Sequence, residues 1–220
     1  MKNSIANRRK AIELIKKGKI IVNGDIIKDP RYPVNEHDIV CYQGKIIDSS
    51  PFVYYMFHKP KGYVSANKDN QYPCVLDFFD RKDLSIVGRL DIDTTGLMIL
   101  TNDKSLVKKV TLPQNHLRKK YFVEVKNQLH EQDIIRFKEG IIIDNDTKCL
   151  AAQLEIIDLY HCFLTIYEGK YHQVKKMFLS LNNQVLSLKR VQIGDILLDH
   201  ELAEGKFRKL RNEEIISLKG

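Results

Sequence analysis

No two of the four cysteines form a Cys-x-x-Cys pair; Cys41, Cys74, Cys149 and Cys162 are scattered along the 220 residues. That spacing argues against a zinc site and fits reduced, buried thiols better than a disulfide framework. Long apolar runs are missing as well. None approaches the roughly 20 residues needed to cross a bilayer, so no membrane association is expected. The opening Met1-Lys2-Asn3-Ser4 has none of the apolar character of a secretory leader. A cytoplasmic location follows as the expectation. Internal repeats and low-complexity tracts are absent.

Acidic excess is lacking too. The chain has 36 Lys and Arg against 28 Asp and Glu, a formal charge of +8. Such a surplus favours a polyanionic partner, because Lys and Arg displace condensed counterions from phosphates. The surplus is uneven. Residues 1–48 hold 7 Lys and 3 Arg against 6 acids, a net of +4. Within this stretch Ser4 is placed to cap a helix through Ile5, Ile12, Leu14 and Ile15, with Gly18 as its stop. Arg8, Arg9, Lys16 and Lys17 share that helix and Lys19 follows it, so a basic surface lies beside an apolar one. Residues 19–27 then read as two β-type runs around Asn23-Gly24, a strong hairpin signal. Another short strand should end near Tyr42, closed by Gly44.

Helix, basic loop, Val22-Asn23-Gly24 hairpin and then Val34-Asn35-Glu36-His37-Asp38-Ile39-Val40 form an order that resembles the alpha-L (S-four-like) RNA-binding module. The resemblance implies RNA contacts by Arg8, Arg9, Lys16, Lys17 and Lys19. Members of that family carry a further helix at the start, which is absent here, so the module is expected to lack its first helix.

Asp48-Ser49-Ser50-Pro51 reads as a linker, since Ser and Pro disfavour continued pairing. The expected organisation is a module over 1–48, a linker over 49–53 and a second domain over 54–220. In the second domain the strand candidates are 53–58, 85–88, 97–101, 121–125, 152–157 and 162–167. The helix candidates are 104–110, 131–138 and 173–181. Neighbouring strands lack a helix between each pair. The expected fold class is therefore α+β, with a largely antiparallel mixed sheet and flanking helices.

One string dominates the second domain: Gly88-Arg89-Leu90-Asp91-Ile92-Asp93-Thr94-Thr95-Gly96-Leu97-Met98-Ile99-Leu100-Thr101-Asn102-Asp103. It is similar to the signature of the RsuA branch of the pseudouridine synthases. Two further strings agree in order and distance: Phe57-His58-Lys59-Pro60-Lys61-Gly62-Tyr63-Val64-Ser65, and Glu168-Gly169-Lys170-Tyr171-His172-Gln173-Val174-Lys175-Lys176-Met177-Phe178. With Lys119-Lys120-Tyr121 they span most of 54–220.

The resemblance implies an enzyme that isomerises uridine to pseudouridine in RNA with no cofactor and no metal. The reaction breaks a glycosidic bond, turns the base and rejoins it to the sugar through a ring carbon. A carboxylate can serve there as nucleophile or base. An isolated loop Asp is most often a turn former, but the surrounding string makes Asp91 the implied catalyst. Asp93, two residues on, could pair with it; no family role attaches to it, and it is assigned to structure.

Val174, Met177, Phe178 and Leu181 mark one helical face at i, i+3, i+4 and i+7. At about 100° per residue Lys175 falls on the flank of that face and Lys176 nearly opposite. Lys175 is thus expected to point toward a cleft and Lys176 toward water. The resemblance implies a cation at position 175 paired with the catalytic Asp, holding it ionised. It also implies that Tyr121 packs against the target base, which would be taken out of its stack. Arg89 is a candidate for phosphate contact or for filling the space of the flipped base, with a structural ion pair as the alternative. His58 and His172 are assigned to hydrogen-bonded structure.

Overall length and the short late motif resemble the enzyme of the small ribosomal subunit, with a large-subunit relative as the alternative. The expected partner is ribosomal RNA or a pre-ribosomal particle, and the expected state is a monomer. Two other classes stay open: a non-catalytic RNA-binding ribosome-assembly factor, and a hydrolase using Asp91 with Asp93.

Overall fold

A computed structural model describes residues 8–35, 38–47, 52–81, 83–112, 115 and 117–220. The chain divides into two compact units, Met1–Phe52 and Val53–Gly220. Ser4, the expected helix cap, and residues 49–51 of the expected linker lie outside the described residues.

In the first unit, helix α1 (Arg8–Lys16) precedes four short strands: β1 (Ile20–Val22), β2 (Asp25–Ile27), β3 (Val40–Tyr42) and β4 (Lys45–Ile47). They form one sheet in the order β2-β1-β3-β4, antiparallel throughout. Asn23 and Gly24 both take positive φ, 53° and 96°. That is the backbone a two-residue hairpin turn matching the strand twist requires. Gln43-Gly44 repeats the device between β3 and β4, giving a second hairpin where the sequence suggested a single strand. Asp38 ties the unit together, accepting from Asn23 Nδ2 at 2.8 Å and from the Asn35 amide at 2.7 Å.

The second unit is built on a nine-stranded sheet. Its strands are β5 (Tyr54–Lys59), β6 (Ser85–Val87), β7 (Thr95–Thr101), β8 (Lys119–Val125), then, after the small β9 (Ile142–Ile143) and β10 (Thr147–Lys148) hairpin, β11 (Gln153–Ile156), β12 (His161–Ile166), β13 (Val185–Ile193), β14 (Ile196–Leu197) and β15 (Phe207–Lys209). The order is β11-β12-β8-β13-β7-β5-β15, with β14 on β13 and β6 on β7. All pairings are antiparallel except β13 with β7. The sheet is therefore mixed and largely antiparallel, as the sequence implied.

Helices α2 (Lys104–Thr111), α3 (Glu131–Glu139), α4 (Gln173–Ser180) and α5 (Asn212–Lys219) complete the unit. Asp103 caps α2 by accepting from the Ser105 and Leu106 amides, and Tyr54 Oη donates to the same carboxylate at 2.8 Å. The core runs through Phe57, Met98, Leu100, Val123 and Leu164 on the sheet to Phe137 of α3 and to Val174, Met177 and Phe178 of α4. Fully burying each large side chain of this kind contributes about 1.5–3 kcal/mol. Phe137 and Phe178 pack with ring centroids 5.0 Å apart, which locks α4 in rotation as well as position.

Where β13 meets β7, Gly96 lies opposite Arg190. A Cβ at Gly96 would stand 2.3 Å from the Arg190 carbonyl oxygen, and its φ is +106°. Only glycine permits that approach. This single parallel contact brings β13 against the strand that follows the Asp91 loop.

Candidate active site

Asp91 sits on the loop between β6 and β7, and the loop is held from three sides. Ser65 Oγ donates to the Leu90 carbonyl at 2.5 Å and accepts from the Leu90 amide at 3.0 Å. Buried Lys59, at the end of β5, sends Nζ to the carbonyls of Thr94 (2.8 Å), Pro60 (3.1 Å) and Ile92 (3.3 Å). Buried Arg190, on β13, donates to Leu97 O at 2.8 Å, Gly88 O at 3.0 Å and Arg89 O at 3.4 Å. Burial pushes the Lys59 ammonium down to about 8. Both cations spend their donors on backbone carbonyls, which makes their burial tolerable. The result is a loop whose peptide groups are fixed while its carboxylates stay open.

From the opposite side α4 delivers Lys175. Its Nζ lies 2.9 Å from Asp91 Oδ2 and 2.5 Å from Asp93 Oδ1. Burial works against the Lys175 charge, yet hydrogen bonds to Asp93 and Asp91 hold its ammonium above the ordinary lysine value. Burial likewise opposes ionisation of Asp93, and Lys175 outweighs it, so that carboxyl lies below the usual carboxylate range. His172 Nε2 stands 3.6 Å from the other oxygen of Asp91. One ammonium, two carboxylates and an imidazole thus meet at one point.

Asp91, Lys175 and His172 line a cleft of about 650 Å³, together with Tyr121, Arg89 and Lys119. Tyr121, on β8, is nearly buried and belongs to the core while its residue also borders the cleft. Arg89 is exposed beside Asp91. Lys119 donates to Leu117 O at 3.0 Å, and burial pushes its ammonium down to about 8. The turn before α4 is a built structure: buried Glu168 accepts from the Leu150 amide and from Gln173 Nε2, both at 2.9 Å, and pairs with Lys170.

The structure brings Asp91, Lys175, Tyr121 and Arg89 to one cleft. Arg8, Arg9, Lys16, Lys17 and Lys19 belong to the first unit, exposed on α1 and the turn after it; Lys17 pairs with Glu13 at 2.5 Å. The structure adds contacts to two sequence assignments and corrects a third. The Asp91–Thr94 turn puts Asp93 and Asp91 on the side facing α4, where both meet Lys175. A left-handed backbone, φ 53°, turns the His172 ring toward Asp91. Lys176 does not face water freely: it is about as exposed as Lys175, 26% against 25%, and Asp144 reaches it at 2.5 Å.

Lys59, Lys119 and Arg190 were not singled out for the site. A cation in a strand ordinarily reads as a solvated residue, and only the fold reveals the carbonyls it serves. Among the described residues no group of three or more His, Cys, Asp or Glu is placed to hold a metal ion. None of the described helices is long and apolar enough to cross a membrane.

Comparison with known proteins agrees with the fold. Residues 53–180 match the family model for RNA pseudouridylate synthase, and residues 4–40 match the S4 domain. The chain is 42% identical over 217 residues to the ribosomal small subunit pseudouridine synthase A of Pseudomonas aeruginosa, covering 96% of this chain and 94% of the relative. With the protein of the same name from Pasteurella multocida it shares 39% over 221 residues, 97% and 94% of the two chains. A crystal structure of a pseudouridylate synthase superposes with a TM-score of 0.74 at 37% identity, covering 98% of this chain and 95% of that one.

Proposed function

The chain belongs to the RNA pseudouridylate synthase family, and on that premise we propose that it converts a uridine of ribosomal RNA to pseudouridine, in the small subunit, with Asp91 as the reactive carboxylate. One observation carries this reading: Asp91 lies in an open cleft, paired at 2.9 Å with Lys175 and bordered by Tyr121. The names of the similar proteins, each a ribosomal small subunit pseudouridine synthase A, support the choice of RNA.

The chemistry suits these groups. The bond between the sugar and the base nitrogen breaks, the base turns, a carbon–carbon bond forms, the ring carbon gives up its proton and the freed nitrogen takes one up. Composition is unchanged, so the reaction itself calls for no electron carrier. Asp91 acts either as nucleophile at the sugar or as base, and Lys175 Nζ, donating to it at 2.9 Å, holds the carboxylate in place for either role. Tyr121 offers a ring to the uracil while it is free of its stack. Arg89, exposed at the rim, is placed to meet the phosphate of the displaced nucleotide or to occupy the space it leaves.

In this reading Met1–Phe52 works as an RNA-binding module, with Arg8, Arg9, Lys16, Lys17 and Lys19 on its phosphate-facing side. The enzyme acts as a monomer on ribosomal RNA or a pre-ribosomal particle, without a cofactor.

The test is direct. Purified protein is incubated with small-subunit RNA, large-subunit RNA and their particles, and pseudouridines are mapped. A single new site in small-subunit RNA, absent with Asp91→Asn, is expected. Product confined to large-subunit RNA would reassign the substrate, free uracil would indicate a hydrolase, and no product from any RNA would overturn the proposal.

A further inference from the structure

Next to Asp91 stands a pair of rings that the reaction proposed above does not use. Tyr171 and His172 stack with centroids 3.8 Å apart and planes 20° from parallel. His172 holds the left-handed conformation, which non-glycine residues seldom adopt. That turn sends its imidazole to within 3.6 Å of Asp91 and leaves Tyr171 69% exposed. Both residues line the cleft, and Lys176 Nζ lies 5.3 Å from the Tyr171 centroid.

Three of the cations around this ring pair are already matched. Lys170 pairs with Glu168, Lys175 with Asp91 and Asp93, and Lys176 with Asp144. Phosphate attraction is therefore muted at this lip of the cleft, and what it offers a single-stranded RNA is a flat aromatic face. An exposed ring backed by a second ring has little side-chain freedom to lose when a base stacks on it.

We propose that the open face of Tyr171 seats the base of a nucleotide adjoining the target uridine, and that the Tyr171–His172 stack relays the position of that base to Asp91. The inference rests on reading the cleft as a uridine site in RNA. Stacking tolerates every base, so the contact fixes register and discriminates weakly by sequence. Tyr171 is on this account a positioning residue, acting on Asp91 through His172.

The experiment uses the full chain and a ribosomal RNA fragment containing the mapped uridine, with 2-aminopurine placed on its 5′ or its 3′ side. Binding to the wild type should quench the fluorescence of one of the two probes. Tyr171→Ala should abolish the quench and raise the half-saturating RNA concentration roughly 10- to 100-fold, equally at low and high salt. Tyr171→Phe should restore both. Tyr171→Leu, which keeps apolar bulk, should behave as Tyr171→Ala, which separates stacking from packing.

Absence of quenching at either flank in the wild type, or a Tyr171→Ala protein that quenches as the wild type does, overturns the inference. A wild type that quenches one probe and yet forms no pseudouridine overturns the functional reading while leaving the stacking site in place.

Discussion

Asp91 and Lys175, 84 positions apart in sequence, meet at 2.9 Å across the cleft, and the same ammonium touches Asp93 at 2.5 Å. The two carboxylates compete for one cation, and the competition separates their expected roles. Asp91→Asn should lower single-turnover pseudouridine formation on the order of 10³-fold or more, with an unchanged melting curve. Asp93→Asn should cost less than about 10-fold, because Lys175 then turns wholly to Asp91. Equal losses from both variants would show that the pair acts as one unit.

Replacing Lys175 tests the same contact through stability. The folded-state value of Asp93 lies below its unfolded value, so its contribution is present above the unfolded carboxylate range and is lost as pH falls through the folded value. That of Lys175 is raised, so its contribution is full below the unfolded lysine value and fades as pH rises past the folded one. The stabilising window runs from about pH 4 to about pH 10. Asp93 is half exposed, so the pair contributes no more than about 1 kcal/mol. Melting temperatures of wild type and Lys175→Met should differ most near neutrality, and the gap should narrow as pH falls through the folded-state value of Asp93. A gap that does not change with pH would point to lost packing instead. Lys175→Arg should keep most of the activity.

The Lys59 clamp predicts a different outcome. Lys59→Met leaves the carbonyls of Pro60, Ile92 and Thr94 without that donor in a nearly buried setting. The expected cost is about 2–4 kcal/mol, read by urea unfolding. Activity should fall even where the protein remains folded, because the backbone that aims Asp91 is loosened. A variant as stable and as active as the wild type would remove Lys59 from the support of the loop.

Gly96 makes the sharpest backbone test. Gly96→Ala would push a Cβ against the Arg190 carbonyl at 2.3 Å while holding φ at +106°, and backbone cannot move aside as a side chain can. A loss of about 3 kcal/mol or more is expected, visible as a lowered denaturation midpoint. A melting curve like that of the wild type would mean that β7 and β13 can part without cost.

Much of this was legible in the sequence, and the reasons differ by residue. The runs behind β5, β7, β8 and β12 are apolar and bounded by turn residues, so periodicity finds them. Asp91 and Lys175 were reachable because their strings resemble a known family and because the apolar face of α4 fixes which lysine flanks it. Strand β13 escaped. Its middle, Lys189-Arg190, reads as surface, yet Arg190 is buried because three carbonyls across the sheet accept from it. His172 escaped for a backbone reason: nothing in the residue type announces a left-handed turn. The place of Asp93 is not legible in sequence, since its link to Asp91 runs through Lys175, which only the packing of α4 brings into reach.

Lys119 gives the cleft a pH dependence of its own. Burial, reinforced by the charge of Arg190, pushes its ammonium down to about 8. Below that value the cleft carries one more positive charge than above it, and phosphate contacts depend on such charges. RNA affinity should therefore weaken between pH 7 and pH 9, on the order of threefold to tenfold for a single phosphate contact. Lys59 titrates over the same range, but its Nζ is directed to three backbone carbonyls of the Asp91 loop. Lys119→Arg separates the two. An arginine stays charged throughout, so binding measured by filter retention should become flat across the range if Lys119 is the source. If the slope survives in Lys119→Arg, the titrating group is Lys59, and the pH dependence of binding reports the Asp91 loop instead of a charge in the cleft.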